Sequence, residues 1–213
     1  MAKKTSAIID EVFAELSSDK RNIITNYLTL LFKWHKSNNI ISSSDNEYVI
    51  KREIYDSYQF SKIITGATFT DVGTGGGIPG IMVAILKPDK EIVLLDRKSN
   101  FIDFLEIVKH DLSLKNIDII QQDFFDSKFQ LNTEVALFKN FSNKKIAKMD
   151  FEKKLMYMIG TARCSKSVKK VYMLTGTPVL ELSKHFVEDY TLTVKKISSP
   201  FFDTSRYVAE VLL

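Results

Sequence analysis

A glycine-dense segment at residues 69–80 (Phe-Thr-Asp-Val-Gly-Thr-Gly-Gly-Gly-Ile-Pro-Gly) constrains what this chain can fold into more than any other stretch. Five of the protein's 8 glycines lie in it. A short apolar run at 67–72 precedes the glycines, and a second apolar run at 81–86 follows them. Glycine permits positive φ and lets a ligand approach the backbone, while the first turn of a helix presents free N–H groups. The segment therefore predicts a strand, a tight ligand-binding loop and a helix.

Two glycine patterns overlap in this segment, and they indicate different ligands. The spacing Asp71-x-Gly73-x-Gly75-x-Gly77 is the acidic-then-glycine pattern of S-adenosylmethionine methyltransferases. The spacing Gly75-x-Gly77-x-x-Gly80 fits the dinucleotide fingerprint, but its first glycine comes too late after the strand. A carboxylate at the strand end suits a cationic amino-acid ammonium better than a pyrophosphate, which it would repel. The pattern thus favours S-adenosylmethionine over a dinucleotide, and both over a turn without a ligand.

Length and composition are those of one α/β domain with a small appendage. The chain has 213 residues, 45% of them hydrophobic, and no apolar run approaches the ~20 residues of a membrane span. No secretory signal is visible, and the lone Cys164 fits a reducing cytoplasm. Three histidines lack metal-ligand spacing and are interpreted as surface or capping residues, namely His35, His110 and His185. We therefore expect a cytoplasmic protein with no membrane span and no metal.

Hydrophobic periodicity predicts a helical segment at 1–65 followed by a sheet domain at 66–213. The first segment contains predicted helices at 6–17, from a cap at Asp19 to about Lys36, and at 46–64. Predicted strands lie at 68–72, 91–95, 117–120, 134–138, 170–174, 190–198 and 206–213, with helices at 79–86, 99–112, 143–159 and 179–187. Such alternation predicts a mostly parallel sheet with helices on both faces. The last two strands are expected to form a long-looped hairpin around Pro200 and Asp203.

Candidate site residues follow the predicted strands, where ligands bind in an open α/β sheet. Asp96 ends the second strand and is placed to take ribose hydroxyls, although a helix N-cap is the alternative. Asp123 follows the third strand, with Phe124 and Phe125 behind it. An acid with an aromatic ring could hold adenine, but the two rings could equally belong to the core. Lys139 follows the fourth strand and is expected to face the same crevice.

The stretch 139–170 carries ten basic and two acidic side chains, a local balance of +8 against +4 for the whole chain. Such a block is an electrostatic footprint for nucleic acid or, equally, a solvated helix face with a lysine-rich loop. The chain shows no Ser/His/Asp, Cys/His or paired-carboxylate arrangement. Methyl transfer is compatible with that, because an activated sulfonium donor requires positioning more than a base.

Several motifs resemble one bacterial family, the small-subunit ribosomal RNA methyltransferase G family, also called glucose-inhibited division protein B. Residues 71–80 are very similar to its pattern DVGTGxGxPG, and residues 94–96 match its LLD. Three further segments resemble family motifs: residues 30–40 resemble LLxKWNKxxNL, residues 52–57 resemble RHxxDS, and residues 206–208 resemble RHxVxI. The resemblance implies a class I S-adenosylmethionine methyltransferase fold, Rossmann-like, with seven strands. It also implies methyl transfer to N7 of a guanine in small-subunit ribosomal RNA, an acceptor with an exposed lone pair.

The resemblance implies roles for the candidate residues. The cofactor crevice would be lined by Asp71, Gly73, Gly75, Gly77, Ile78, Asp96, Asp123, Phe124 and Phe125. Lys139 would lie between cofactor and base as the catalytic residue. Phosphate would be met by Arg52, Lys144, Lys145, Lys148 and Arg206. The expected partner is small-subunit ribosomal RNA or the ribosomal subunit, and the chain is expected to be a monomer.

The chain departs from the family pattern at substrate-side positions. Glu53 stands where the family has His, Lys139 where it has Arg, and Thr175 where it has Lys. Asn100 and Phe101 replace a Lys-Arg pair. The acceptor therefore stays open between the same RNA and a small molecule or protein. A dinucleotide-binding oxidoreductase and a relative that binds cofactor without turnover are the remaining alternatives.

Overall fold

The computed structural model describes residues 2–182, 186 and 190–213, and it contains one seven-stranded sheet. The strand order is β3-β2-β1-β4-β5-β7-β6. The strands are β1 (Thr68–Val72), β2 (Glu91–Asp96), β3 (Ile117–Gln121), β4 (Val135–Lys139), β5 (Lys170–Thr175), β6 (Thr191–Ser199) and β7 (Phe202–Leu212). The pairings among β1 to β5 are parallel, while β7 runs antiparallel to both β5 and β6. The predicted α/β class and mostly parallel sheet are confirmed.

The end of the chain forms a tighter hairpin than the sequence predicted. Ser199 pairs with Phe202, so that only Pro200 and Phe201 lie between the two strands. The Ser199 side chain accepts a hydrogen bond from the Phe201 N–H at 3.2 Å, which closes the turn locally. The predicted long loop through Asp203 is therefore wrong, and that residue belongs to β7.

The helices are α1 (Ala2–Val12), α2 (Ser18–Asn38), α3 (Asn46–Tyr48), α4 (Tyr55–Ile63), α5 (Gly80–Leu86), α6 (Ser99–Asp111) and α7 (Phe151–Arg163). The N-cap of α2 is Ser17 rather than the predicted Asp19, because the Ser17 side chain accepts from the Lys20 N–H. Between α3 and α4 the chain continues as a π-helix, Val49–Ile54, so the predicted helix at 46–64 is one helical run with a wider middle.

The predicted helix at 143–159 is wrong in its first half. The Asp150 side chain accepts from the Lys153 N–H at 2.8 Å and caps a helix that begins at Phe151. Before it, the Asn143 side chain accepts from the Lys145 N–H at 2.8 Å and holds a turn. A 3-10 helix, Thr177–Glu181, covers the start of the predicted helix at 179–187. Most of its remainder, with His185, lies outside the described residues.

Two hydrophobic clusters cover the two faces of the sheet. Consecutive residues of a strand point to opposite faces, so Leu94 and Leu137 enter the first cluster while Leu95 and Phe138 enter the second. The first cluster also contains the buried residues of α2, α4, α5 and α6, and the second contains those of α7. The N-terminal helices thus share a core with the sheet; the division of the chain at residue 65 stays a prediction.

Two classes of feature are absent from the part of the chain that the structure describes. No helix there is long and apolar enough to cross a membrane. No group of three His, Cys, Asp or Glu side chains in that part is arranged to hold a metal ion.

Candidate functional site

A cavity of about 360 Å³ opens at the carboxyl ends of β1, β2 and β4. In the strand order, β1 and β4 are neighbours, and the chain passes from β1 to β2 on one side and from β4 to β5 on the other. Ligands of open α/β sheets bind at such a switch point. Seven of the predicted site residues line the cavity, namely Gly73, Gly75, Ile78, Asp96, Asp123, Phe124 and Lys139.

The glycine loop curls over the end of β2. The Gly73 and Thr74 N–H groups donate to the Leu95 carbonyl oxygen at 2.8 and 3.1 Å. Gly73 and Gly75 have φ of +69° and +54°, a conformation that side-chain-bearing residues adopt only with strain. A Cβ on Gly75 would meet no atom within 4 Å, whereas one on Gly73 would collide with the Phe141 ring. The loop therefore leaves open space beside Gly75, on the cavity wall.

The buried side chain of Asp71 holds the glycine loop through two hydrogen bonds. Its Oδ2 accepts hydrogen bonds from the Thr74 hydroxyl at 2.7 Å and from the Gly80 N–H at 2.8 Å. Burial raises the pKa of Asp71 to about 6, and the bonds from Thr74 and Gly80 oppose that rise. The carboxyl group is 1% exposed and is absent from the cavity lining. The predicted direct contact with a ligand ammonium is therefore at odds with its position, because the loop stands between them.

Asp96 faces the cavity from the end of β2. Its Oδ2 accepts from the Gly75 N–H and its Oδ1 from the Lys98 N–H, both at 3.0 Å. The N-cap position of α6 is Lys98, so Asp96 is not the N-cap residue of that helix. Each carboxylate oxygen has a second lone pair, which leaves Asp96 able to accept from a ligand hydroxyl.

Asp123 and Phe124 form the wall beyond β3. Asp123 Oδ1 accepts from the Phe125 N–H at 2.9 Å, which turns the chain there. Phe124 and Phe125 both belong to the second hydrophobic cluster, with ring centroids 5.1 Å apart. Phe124 also lines the cavity, whereas Phe125 packs against Tyr157 at 4.9 Å between centroids and does not line it. Phe124 therefore fits both interpretations, since it lines the cavity and also packs in the core, whereas Phe125 is a core residue only.

The predicted cofactor residue Gly77, from the glycine loop, does not line the cavity either.

Lys139 and Glu53 form an ion pair on the cavity wall at the end of β4. The Lys139 ammonium contacts Glu53 Oε2, and the two side chains are 9% and 16% exposed. Both residues line the cavity, Lys139 from the end of β4 and Glu53 from the π-helix. Glu53 was not predicted as a site residue. Its difference from the family pattern marked the position, but only the tertiary fold brings Glu53, from the π-helix, to Lys139 at the end of β4.

A buried charge cluster lies beside this pair. The Arg52 guanidinium donates to the Thr204 carbonyl and hydroxyl oxygens at 2.9 and 3.0 Å and is 3% exposed. Asp56 Oδ2 lies 3.5 Å from Nε of both Arg52 and Arg206. Burial raises the pKa of Asp56 to about 6, against the attraction of both arginines. The predicted phosphate contact of Arg52 is at odds with this burial, whereas the side chain of Arg206 remains 32% exposed.

The predicted phosphate-binding lysines follow β4 in the turn before α7. Lys144 and Lys148 are exposed. Lys145 is exposed as well, but its ammonium donates to the Phe125 carbonyl oxygen at 3.1 Å and lies 5.6 Å from the Phe125 ring centroid. Lys144 and Lys148 can therefore bind a ligand outside the cavity, whereas Lys145 links the turn to Phe125.

Solved structures of methyltransferases share this fold at low sequence identity. The human methyltransferase 10 domain containing protein matches with a TM-score of 0.56 and 11% identity, over 90% of this chain and 97% of that one. TrmK of M. capricolum, solved with the cofactor product S-adenosyl-homocysteine, matches with a TM-score of 0.52 and 11% identity. That match covers 73% of this chain and 66% of the other. The fold is therefore that of class I S-adenosylmethionine methyltransferases.

Sequence relatives identify the family. The Ribosomal RNA small subunit methyltransferase G of Yersinia enterocolitica is 38% identical over 121 residues. This match covers 57% of the chain and spans 59% of the length of that curated relative. Residues 20–170, which include the glycine loop and the Glu53–Lys139 pair, match the family described as rRNA small subunit methyltransferase G. The chain belongs to the rRNA small subunit methyltransferase G family.

Proposed function

We propose that this protein transfers a methyl group from S-adenosylmethionine to N7 of a guanine in small-subunit ribosomal RNA. The observation that carries the proposal is the cavity at the ends of β1, β2 and β4, whose lining residues all lie within the family match at 20–170. The proposal also draws on the sequence relatives, each of which is named a ribosomal RNA small subunit methyltransferase G. A dinucleotide-binding oxidoreductase has no support from the family.

The residues of the cavity fit S-adenosylmethionine in their donor and acceptor chemistry. The open space beside Gly75 allows a ligand to approach the backbone where a Cβ would intrude. Asp96 offers free carboxylate lone pairs for ribose hydroxyls, and Asp123 with the Phe124 ring offers an acceptor and a face for adenine. Ile78 and Phe101 add apolar walls. A volume of about 360 Å³ suits one nucleoside-sized ligand.

The proposed reaction requires no general base from the protein. When bound, S-adenosylmethionine supplies a methyl group whose bond to sulfur breaks with its electron pair left on sulfur, while the N7 lone pair forms the new bond. Guanine N7 carries no proton, so no proton is released in that step. The protein therefore contributes by excluding water and by orienting the base, because correct positioning of the reactants raises the rate. Lys139 lies on the wall where cofactor and base would meet.

The RNA surface would extend from the cavity mouth along the turn after β4. Lys144 and Lys148 would meet phosphates there, with the exposed part of Arg206 contributing on the other side. Arg52 does not belong to this surface, because its side chain is buried. The ribosomal subunit as partner, the cytoplasm as location and a monomeric state belong to the same proposal.

Labelled methyl transfer tests the function directly. The protein is incubated with labelled S-adenosylmethionine and small ribosomal subunits that lack N7-methylguanine, and the RNA is digested to nucleosides. Label in N7-methylguanine is the expected result. Label absent from RNA, with cofactor binding shown by calorimetry, would contradict the RNA acceptor and point to a small molecule or protein. A methyl label in another base would contradict the assignment to N7.

A further inference from the structure

We propose that the Glu53–Lys139 ion pair reads the edge of the acceptor guanine. Lys139 would donate to O6, and the Glu53 carboxylate would accept from N1–H and the N2 amino group. This inference rests on the proposed function and names the residues that select the base. It assigns a role to Glu53, which lines the cavity and pairs with Lys139 at the end of β4.

The position of the pair matches the order of groups on guanine. Lys139 ends β4, next to β1 and the glycine loop, and its charge acts on Asp71. Glu53 comes from the π-helix beyond it. Lys139 is therefore the member nearer the cofactor residues, and Glu53 is the farther one. Along guanine the groups run N7, O6, N1–H and N2 amino, so a base with N7 toward the cofactor presents O6 to Lys139 and its donors to Glu53.

The same pair rejects adenine. Adenine has an amino donor in place of O6 and a bare acceptor in place of N1–H. Its amino group would face the Lys139 ammonium, and its N1 lone pair would face the Glu53 carboxylate. Both contacts would be repulsive and poorly hydrated, because the two side chains are 9% and 16% exposed. The pair therefore provides selection through repulsion as well as through hydrogen bonds.

The carboxylate also stabilises the product charge. Methylation at N7 leaves a positive charge on the purine, which spreads toward N1–H and the N2 amino group. A carboxylate that accepts from those groups binds the cation better than the neutral base. Of the two Glu53 oxygens, Oε2 contacts Lys139, and among the described residues Oε1 makes no hydrogen bond. Oε1 is therefore available to one guanine donor, and the second lone pair of Oε2 is available to the other.

The test replaces the base and the pair independently. The substrate is small-subunit RNA joined from a transcript and a synthetic fragment, with the methylated guanine either retained or replaced by inosine. Inosine keeps O6 and N1–H but lacks the N2 amino group. We expect the wild-type kcat/KM to fall about tenfold or more on inosine, as for a lost hydrogen bond to a charged group. Glu53→Met with Lys139→Met removes the pair without leaving an unpaired charge. In this double variant the guanine preference, which is the ratio of kcat/KM on the guanine substrate to kcat/KM on the inosine substrate, should fall to near one.

A charge reversal separates recognition from support of the fold. Glu53→Lys with Lys139→Glu keeps an ion pair but exchanges donor and acceptor, so it should keep the melting temperature and cofactor affinity while losing at least tenfold in methyl transfer to guanine. The matched control is Glu47→Gln, which breaks the partly exposed Glu47–Lys51 pair of the same helical run and should leave the guanine preference unchanged.

Two results would overturn the inference. Equal wild-type rates on guanine and inosine, or recovery of guanine methylation by the reversed pair, would mean that the pair only supports the fold. Either result would leave the proposed function intact, because the wild type would still form N7-methylguanine. Absence of N7-methylguanine with the wild type would instead contradict the proposed function, and this inference with it.

Discussion

The hydroxyl of Tyr27 in α2 donates a 2.6 Å hydrogen bond to the carbonyl oxygen of Gly76 in the glycine loop. Tyr27 is fully buried, and burial, together with the nearby Asp71 charge, raises the pKa of its hydroxyl well above the ordinary value. The N-terminal helices therefore do more than cover the sheet, because one of them holds the shape of the proposed cofactor loop.

Tyr27→Phe should lower both stability and cofactor affinity. The Gly76 carbonyl loses its buried donor, which costs about 1–3 kcal/mol of unfolding free energy. About 1 kcal/mol of this should appear as a roughly fivefold weaker Kd for S-adenosylmethionine by calorimetry. Tyr172→Phe is the matched control, since its hydroxyl bonds Thr65 and Glu210 away from the cavity. An equal loss of cofactor affinity in both variants would contradict a specific role for the bond to Gly76.

Gly75→Ala and Gly160→Ala should change stability in opposite directions. At Gly75, φ is +54°, so an alanine costs about 1–2 kcal/mol and its methyl group projects into the cavity. Cofactor binding should weaken at least tenfold. Gly160 is exposed within α7, and a Cβ there meets no atom within 4 Å, so alanine should stabilise by about 0.5–1 kcal/mol. Denaturant titrations and calorimetry measure both effects. Unchanged cofactor affinity in Gly75→Ala would remove this residue from the proposed site.

Asp71 should make the stability of the wild type fall as pH rises from about 4 to about 6. Its folded pKa of about 6 exceeds the ordinary 3.8, so the folded state holds the proton more tightly than the unfolded state. That contribution is present below the lower value and is lost as pH passes the higher one. Asp71→Asn keeps an oxygen for the Gly80 N–H and lacks the titration. We expect the wild type to lose about 2.5 kcal/mol relative to this variant between pH 4 and pH 7 in denaturant titrations. A constant difference would contradict the raised pKa.

Arg52→Lys should destabilise the fold. Lysine retains the charge but loses the two bonds that the guanidinium donates to Thr204, at a cost of about 3 kcal/mol. Arg163→Lys, at an exposed position against Tyr190, should cost no more than about 1 kcal/mol. Thermal unfolding measures both. A variant of Arg52 with unchanged stability and weaker RNA binding would restore the phosphate contact predicted from sequence.

Lys144→Gln with Lys148→Gln should flatten the salt dependence of RNA binding. Each lost phosphate contact lowers the slope of log K against log salt by about 0.7–0.9, so the double variant should lose about 1.4–1.8. Lys115→Gln is the control, because that exposed lysine precedes the edge strand β3, at the end of the strand away from the cavity. Binding to small-subunit RNA at several salt concentrations gives the slopes. Equal slopes for the double variant and the wild type would rule out the turn after β4 as a phosphate-binding surface.

Local chemistry explains which elements could be predicted from the sequence. β1 was predicted with its observed boundaries, because an apolar run meets the glycines that end it. The segment 143–149 was predicted as helix, since its apolar spacing is helical, but the Asn143 and Asp150 side chains bond the backbone in competing ways. Arg52 was expected to contact phosphate because the family resemblance covers residues 52–57. Its burial depends on Thr204, which lies 152 residues away in the chain.

The sequence by itself determined the sheet, the glycine loop and the carboxylate at the end of β2, because each depends on residues close together in the chain. Only the tertiary structure decided which charges face the cavity. Glu53 and Lys139 are 86 residues apart, and Tyr27 and Gly76 are 49 apart. Such contacts depend on how helices pack on the sheet, and packing is set by the shapes of whole buried faces rather than by any local pattern. Lys139 was therefore predicted on the acceptor side of the site from the sequence, whereas its partner Glu53 followed only from the tertiary structure.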